Sequence, residues 1–373
     1  MSNNYPKLIY NLGKLEANIN QLAKIVKTRD DFTLTIVTKS ILADEKICEV
    51  IAKNPNVDYI ADTRIDNIKV ISQYAKENGK EVVMLRLPML TEAEDVVRYA
   101  DISLNSELVT IQRLNHEAEK LNKIHKVVMM IDLGDLREGI FYEDVEKIMN
   151  LAKKIKEMDN VQLFGIGTNL TCFGGVIPKA ENLQILCDIA KEIEMETGIK
   201  VEMISGGNSS SVYLSQKGEM PDGINNLRLG ESFLLCNDTA YKNIIEGCYK
   251  DAIICEAEII ELQYKPSYPI GEIGFNAMGR KPKLEDRGEI HRAILAIGEQ
   301  DTDPVMMTPA VRKGKNYVED PSKEILGSSS DHMIMDVSKS NKDVFVGDII
   351  AFKLEYSALL RLATSPYVHK EYI

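Results

Sequence analysis

Eight times between residues 32 and 233, a short β-rich run gives way to a longer segment with helical patterning. The runs are FTLTIVTK (32–39), VDYIADT (57–63), EVVMLRL (81–87), DISLNS (101–106), HKVVMMIDLG (125–134), QLFGIGTNL (162–170), EMISGGNSS (202–210) and NNLRLGESF (225–233). Helical spacing is clear in Leu15, Ile19, Leu22, Ile25 and Val26, and again in Val145, Ile148, Leu151 and Ile155. Regular alternation implies parallel strands joined by right-handed crossovers. Eight units in roughly 220 residues suit a (β/α)8 barrel, typically about 250 residues long. An open doubly wound sheet is the alternative, but no GxGxxG follows the first strand. From about residue 240 the texture changes. CEAEIIELQ, RAILAIGE, HMIMDVS and DIIAFKL read as strands, with no long helical period, and KPKLEDRGE and TPAVRKGKNYVEDPSKE read as loops between them. The expected organisation is an α/β barrel over 13–236 and a smaller, mostly β domain over 237–373. The N-terminal segment 1–12, strand-like in KLIYNL, is available to join that second domain.

The 373 residues carry 45 Lys+Arg against 57 Asp+Glu, a net charge of −12. Such a balance argues against sequence-independent nucleic-acid binding and against docking on anionic lipid. No apolar stretch approaches a membrane span, and MSNNYPKLIY lacks the pattern of a signal peptide. The six cysteines form no CxxC pair, as expected for reduced thiols in the cytoplasm. The five histidines show no HExxH or HxxxH spacing, so no metal site is expected.

Barrel chemistry gathers at the C-terminal ends of the strands. Lys39 ends the first run, where burial would favour a neutral, nucleophilic amine. The bland alternative is an exposed strand-end lysine. After the seventh and eighth strands come Ser205-Gly206-Gly207-Asn208-Ser209-Ser210-Ser211 and Arg228-Leu229-Gly230-Glu231-Ser232. Small-residue loops there commonly hold phosphate. A lysine nucleophile and a phosphate cup on one mouth suggest pyridoxal 5'-phosphate (PLP). A class I aldolase shares these ingredients, but its lysine would lie nearer the later strands and it needs no extra β domain.

Over essentially its whole length the chain resembles the alanine-racemase-like, fold-type III PLP enzymes, nearest the branch acting on ornithine. IDLGDLREGI (131–140) is the most specific match, supported by VTKS at Lys39, GGNSS (206–210), LRLGES (227–232) and SSDHMIMDV (329–337). The resemblance implies that Lys39 holds PLP covalently and serves as one of two catalytic bases. It implies that Ser209, within the Asn208-containing loop, binds the phosphate with the backbone N–H groups of Gly230 and Glu231. Arg228 would face the pyridine nitrogen, donating without giving up its proton. Related decarboxylases are expected to place an acid there. The second base would be Tyr268 in KPSYPIGE, contributed by the β domain of the other subunit of a homodimer. The bland alternative for Tyr268 is an amphipathic tyrosine on a sheet. Arg137 would lie beside the cofactor oxygen and the substrate carboxylate, which backbone N–H groups near Ser330 and Asp331 would help hold. Its bland alternative is a salt bridge with Asp135 or Glu138. Tyr372 would lie on the phosphate side.

Three departures from the alanine-racemase pattern bear on substrate. Met130 stands where a carbamylated lysine often steadies the arginine, Ala43 where a tyrosine reaches the phosphate, and Asn169 where a histidine stacks on the ring. The expected substrate is a small amino acid: ornithine first, then lysine, then alanine or serine. A distal ammonium needs an acidic partner when buried. Glu299, Asp301 and Asp303 in IGEQDTD are candidates, as is Asp135, and each has a plain reading as a turn acid. A basic amino-acid decarboxylase of the same fold and a non-catalytic PLP carrier are the competing classes.

Overall fold

The computed structural model describes residues 4–282, 284–340 and 343–373. It divides into two compact units, one formed by residues 16–248 and the other by residues 1–15 with 249–373. Strand β1 (Lys7–Tyr10) precedes helix α1 (Leu12–Val26).

Residues 16–248 form the barrel. Its strands are β2 (Thr33–Val37), β3 (Tyr59–Asp62), β4 (Glu81–Met84), β5 (Ile102–Asn105) and β6 (His125–Asp132), then β8 (Val161–Gly167), β9 (Met203–Ser205) and β10 (Asn226–Leu229). The two-residue β7 (Ile140–Phe141) adds to the end of β6. All eight barrel strands pair in parallel, and β10 closes on β2 through Arg228 opposite Thr35. Strands buried on both faces explain the nearly continuous apolar runs. Val37, Ala61, Val83, Leu104, Val128, Met130, Phe164 and Met203 pack into one cluster. The crossover helices are α2 (Glu45–Lys53), α3 (Ile65–Glu77), α4 (Ala93–Tyr99), α5 (Leu108–Lys120), α6 (Val145–Lys156), α7 (Ala180–Thr197) and α8 (Val212–Lys217), with the short α9 (Glu231–Leu235) after β10. α6 buries Ile148, Leu151 and Ile155, and the Asp144 carboxylate caps it at the Lys147 N–H. The last two runs are shorter than expected. β9 stops at Ser205 and β10 at Leu229, because the glycine- and serine-rich residues beyond them turn into loops.

The second unit is antiparallel apart from one pairing. Its strands are β11 (Ile253–Pro266), β12 (Glu289–Leu295), β13 (Met307–Lys313), β14 (Asn316–Glu319), β15 (Glu324–Ser328), β16 (Met333–Asp336), β17 (Ile349–Leu354) and β18 (His369–Tyr372). β1 lies between β11, antiparallel, and β18, parallel. TPAVRKGKNYVEDPSKE, expected as a loop, is instead largely the β13–β14 hairpin, with Lys313 opposite Asn316. Its exposed Arg312 and Lys313 mask the pattern, whereas Pro309 and Ala310 are buried. A nine-residue helix, α10 (Tyr356–Thr364), was also not expected; it buries Ala358, Leu359 and Leu362.

Candidate active site

At the end of β2 the chain turns into a single 3-10 turn, Lys39–Ile41, which sets Lys39 on the barrel mouth. Thr38 donates to the Asp62 carboxylate at 2.6 Å, and Asp62 also accepts from the Thr63 and Arg64 N–H groups and from Asn67. Burial raises the Asp62 pKa above the ordinary carboxylate value, and these hydrogen bonds offset part of that rise. Leu42 and Ala43 follow with φ of 52° and 48°, so two non-glycine residues in left-handed geometry pull the chain away from Lys39. Neither Thr38–Asp62 nor this bend carries a sequence signal.

Arg228 projects from β10 and is buried. Its guanidinium donates to Ser205 Oγ and, at 2.7 Å, to the Thr168 carbonyl. Ser205 in turn donates to Asn226 Oδ1 at 2.6 Å. Burial lowers the Arg228 pKa to about 10, which still leaves it charged at neutral pH.

The loop after β9 needs both of its glycines. A Cβ on Gly206 would lie 2.6 Å from Ile224 Cγ2, and Gly207 has φ of 109°. Asn208 accepts from the Ser210 N–H and donates to Asn169 Oδ1 at 2.7 Å and to the Leu170 carbonyl. Asn208 therefore shapes the loop. Ser209 Oγ donates to Ser232 Oγ at 3.0 Å and accepts the Ser232 N–H, tying this loop to the Gly230–Glu231 turn. The Glu231 carboxylate accepts from Asn237 and Lys242, so only its backbone faces the proposed phosphate role. The hydroxyls of Ser210 and Thr168 are buried with no hydrogen-bond partner. A tight small-residue cradle, unspent buried hydroxyls and a fixed arginine suit a phosphorylated aromatic cofactor of the PLP kind.

Arg137 does pair with Glu138, through Nε and Nη2, and Glu138 also accepts from Asn169 Nδ2 at 3.0 Å. Asp135 is reassigned. It is completely buried, and its oxygens accept the N–H groups of Thr171, Cys172, Phe173 and Val176 at 2.9–3.1 Å. A carboxylate with both oxygens so engaged organises the 171–176 loop, leaving none for a substrate ammonium.

The remaining candidates belong to the β unit. Tyr268 follows β11 and is 41% exposed. Glu299 is paired with Arg280 and accepts from Ser328 Oγ at 3.0 Å. Its loop is stitched to Ser329 and Ser330 by the Glu299 and Gln300 N–H groups, which brings Glu299, Ser330 and Asp331 together. A Cβ on Gly298 would fall 2.2 Å from the Ser330 carbonyl, so only glycine allows that approach. Asp301 and Asp303 accept from Ser365 and Ser357, which anchor α10, and so serve the fold. Tyr372 stacks on Tyr10 with ring centroids 5.8 Å apart.

Barrel, β unit and cradle together define the class. The chain belongs to the alanine racemase family and is a PLP-dependent amino-acid racemase; the family's N-terminal domain model matches residues 10–237. Among individual proteins, it is 47% identical over 367 residues to the ornithine racemase of Acetoanaerobium sticklandii, covering 98% of this chain and 99% of that one. It is 35% identical over 368 residues to the lysine racemase of Thermotoga maritima, covering 99% and 98%. The Bartonella henselae alanine racemase with covalently bound pyridoxal phosphate superposes with a TM-score of 0.71 at 16% identity, covering 98% of this chain and 99% of that one, a likeness of fold. Among the described residues no helix is long and apolar enough to cross a membrane, and no group of His, Cys, Asp or Glu could hold a metal ion.

Proposed function

We propose that this enzyme interconverts L- and D-ornithine by a two-base mechanism. The near full-length match to an ornithine racemase carries the reading. PLP supplies the electron sink that makes the substrate Cα–H acidic. Lys39 holds the cofactor and moves one proton at that carbon, and the partner subunit's Tyr268 moves the other from the opposite face. Arg228, buried and charged, would face the ring nitrogen as a donor that does not give up its proton, a choice that would favour proton exchange over decarboxylation. Ser209 and the backbone N–H groups of Gly230 and Glu231 hold the phosphate, for which Tyr372 is a further candidate. Asn169 and Asn208 keep the loops around the cofactor in register. Arg137, with backbone groups near Ser330 and Asp331, holds the substrate carboxylate.

Glu299 is the remaining acid for the distal ammonium. Its partner Arg280 is 59% exposed and loses little by yielding the carboxylate and returning to water. We further propose a cytoplasmic homodimer. Tyr264, Tyr268, Ile270 and Phe275 are exposed on and just after β11, an apolar strip suited to a second copy. In domain terms, residues 13–236 bind the cofactor, and 237–373 with the N-terminal strand supply Tyr268.

The test is a chiral assay across D- and L-ornithine, lysine, arginine, alanine and serine. Ornithine should give the highest kcat/KM. Preferential racemisation of lysine would transfer the reading to the second relative, and CO2 release from ornithine would replace it with a decarboxylase.

A further inference from the structure

Residues 137 and 138 are neighbours in sequence, and in a strand or helix their side chains would diverge. Here they meet in a two-pronged ion pair, because the segment is bent on both sides. Gly134, Leu136 and Gly139 have φ of 108°, 58° and 118°. Asp132 fixes the first bend by accepting from the Gly134 and Leu136 N–H groups. At Gly139 a Cβ would sit 2.6 Å from the Asp132 nitrogen.

Glu138 is only 15% exposed, and its charge is felt by two arginines, Arg137 and Arg228. Through Asn169 it reaches Asn208 and hence the loop after β9. Met130 is packed in the barrel core and offers no charge.

We infer that Glu138 is a positioning residue, the fixed anion that sets the Arg137 guanidinium for the substrate carboxylate and ties it to the cofactor loop. The inference rests on the role proposed above for Arg137. Free arginine side chains sample many rotamers, and a bidentate carboxylate selects one. The pair also leaves one net positive charge among the two arginines and Glu138, suited to an anionic carboxylate.

The experiment compares wild type with Glu138→Gln and Glu138→Ala, each first checked by circular dichroism and melting temperature. Glu138→Gln keeps the shape, so it tests the charge even if Glu138→Ala fails to fold. Purified protein freed of PLP is treated with phenylglyoxal, and adduct formation at Arg137 is followed by peptide mass spectrometry. The variants should react about tenfold faster at Arg137 than wild type, with formate slowing the reaction in Glu138→Ala. In the loaded enzyme, KM for ornithine should rise about tenfold or more while kcat falls less, the change expected on losing a charge-assisted hydrogen bond. Unchanged Arg137 reactivity, or faster reaction with unchanged KM, would overturn the inference. If wild type racemises no amino acid, the functional reading fails instead, and the phenylglyoxal comparison still decides whether Glu138 fixes Arg137.

Discussion

In the proposed mechanism Lys39 and Tyr268 divide the chemistry, so their replacements should fail differently. Lys39→Ala should abolish the visible absorbance of bound cofactor and with it racemisation, read from the spectrum and a chiral assay. Tyr268→Phe should keep that absorbance while racemisation drops by about 10²–10⁴, the usual worth of a general acid–base group. Equal activity of Tyr268→Phe and wild type would remove it as the second base. Lys39 is a candidate that sequence alone offers, because a lysine closing an apolar strand stands out on its own residues. Tyr268 and Glu299 become candidates only through family resemblance, since a tyrosine or glutamate near a turn has many ordinary uses. In sequence Glu138 reads only as a salt-bridge partner of Arg137, because its proposed role depends on three positive-φ residues that bring adjacent side chains together. Asp135 carried the opposite error. Its acid was visible in sequence, but its four backbone donors, 36 to 41 positions away, were not.

The element most exposed to a single substitution is the loop 171–176. Asp135→Ala would leave four part-buried backbone N–H groups without their acceptor and should cost about 3 kcal/mol, seen as a lower denaturant midpoint. Asp135→Asn, which retains one acceptor oxygen, should cost less. The eight barrel strands were readable because burial on both faces demands unbroken apolar runs. The β13–β14 hairpin was not, because its turn end is exposed from Val311 through Asn316 and largely polar, with no alternation to mark a strand. Helix α10 leaves little mark in the sequence because nine residues give too few turns for the 3.6-residue period to stand out against the surrounding strands.

For the whole molecule, His125 makes acid stability a measurable signature. It is buried in a network with Ser103 and Asn105, and burial lowers its pKa to about 3. The unfolded chain takes up this proton near pH 6.5 while the folded one does not. Stability from this group is therefore present above pH 6.5 and is lost as pH falls. Urea melts between pH 6.5 and 5 should show a slope of up to ~1.4 kcal/mol per pH unit, and His125→Asn should flatten it. Dilution should lower activity if the site is shared between subunits, with mass and turnover falling together in a concentration series. The pairing of β1 with β18 carries one more consequence, for how the molecule is born. Lys7 holds Glu371 across 364 positions of chain. On the ribosome, the barrel's residues 16–248 emerge as one uninterrupted stretch and can close early. Strand β1, made before them, must wait for β11 to cover one edge and then, with the other still open, for β18. During synthesis the first strand is thus the last to gain its neighbour, and a nascent chain halted short of His369 would display that open edge to chaperones.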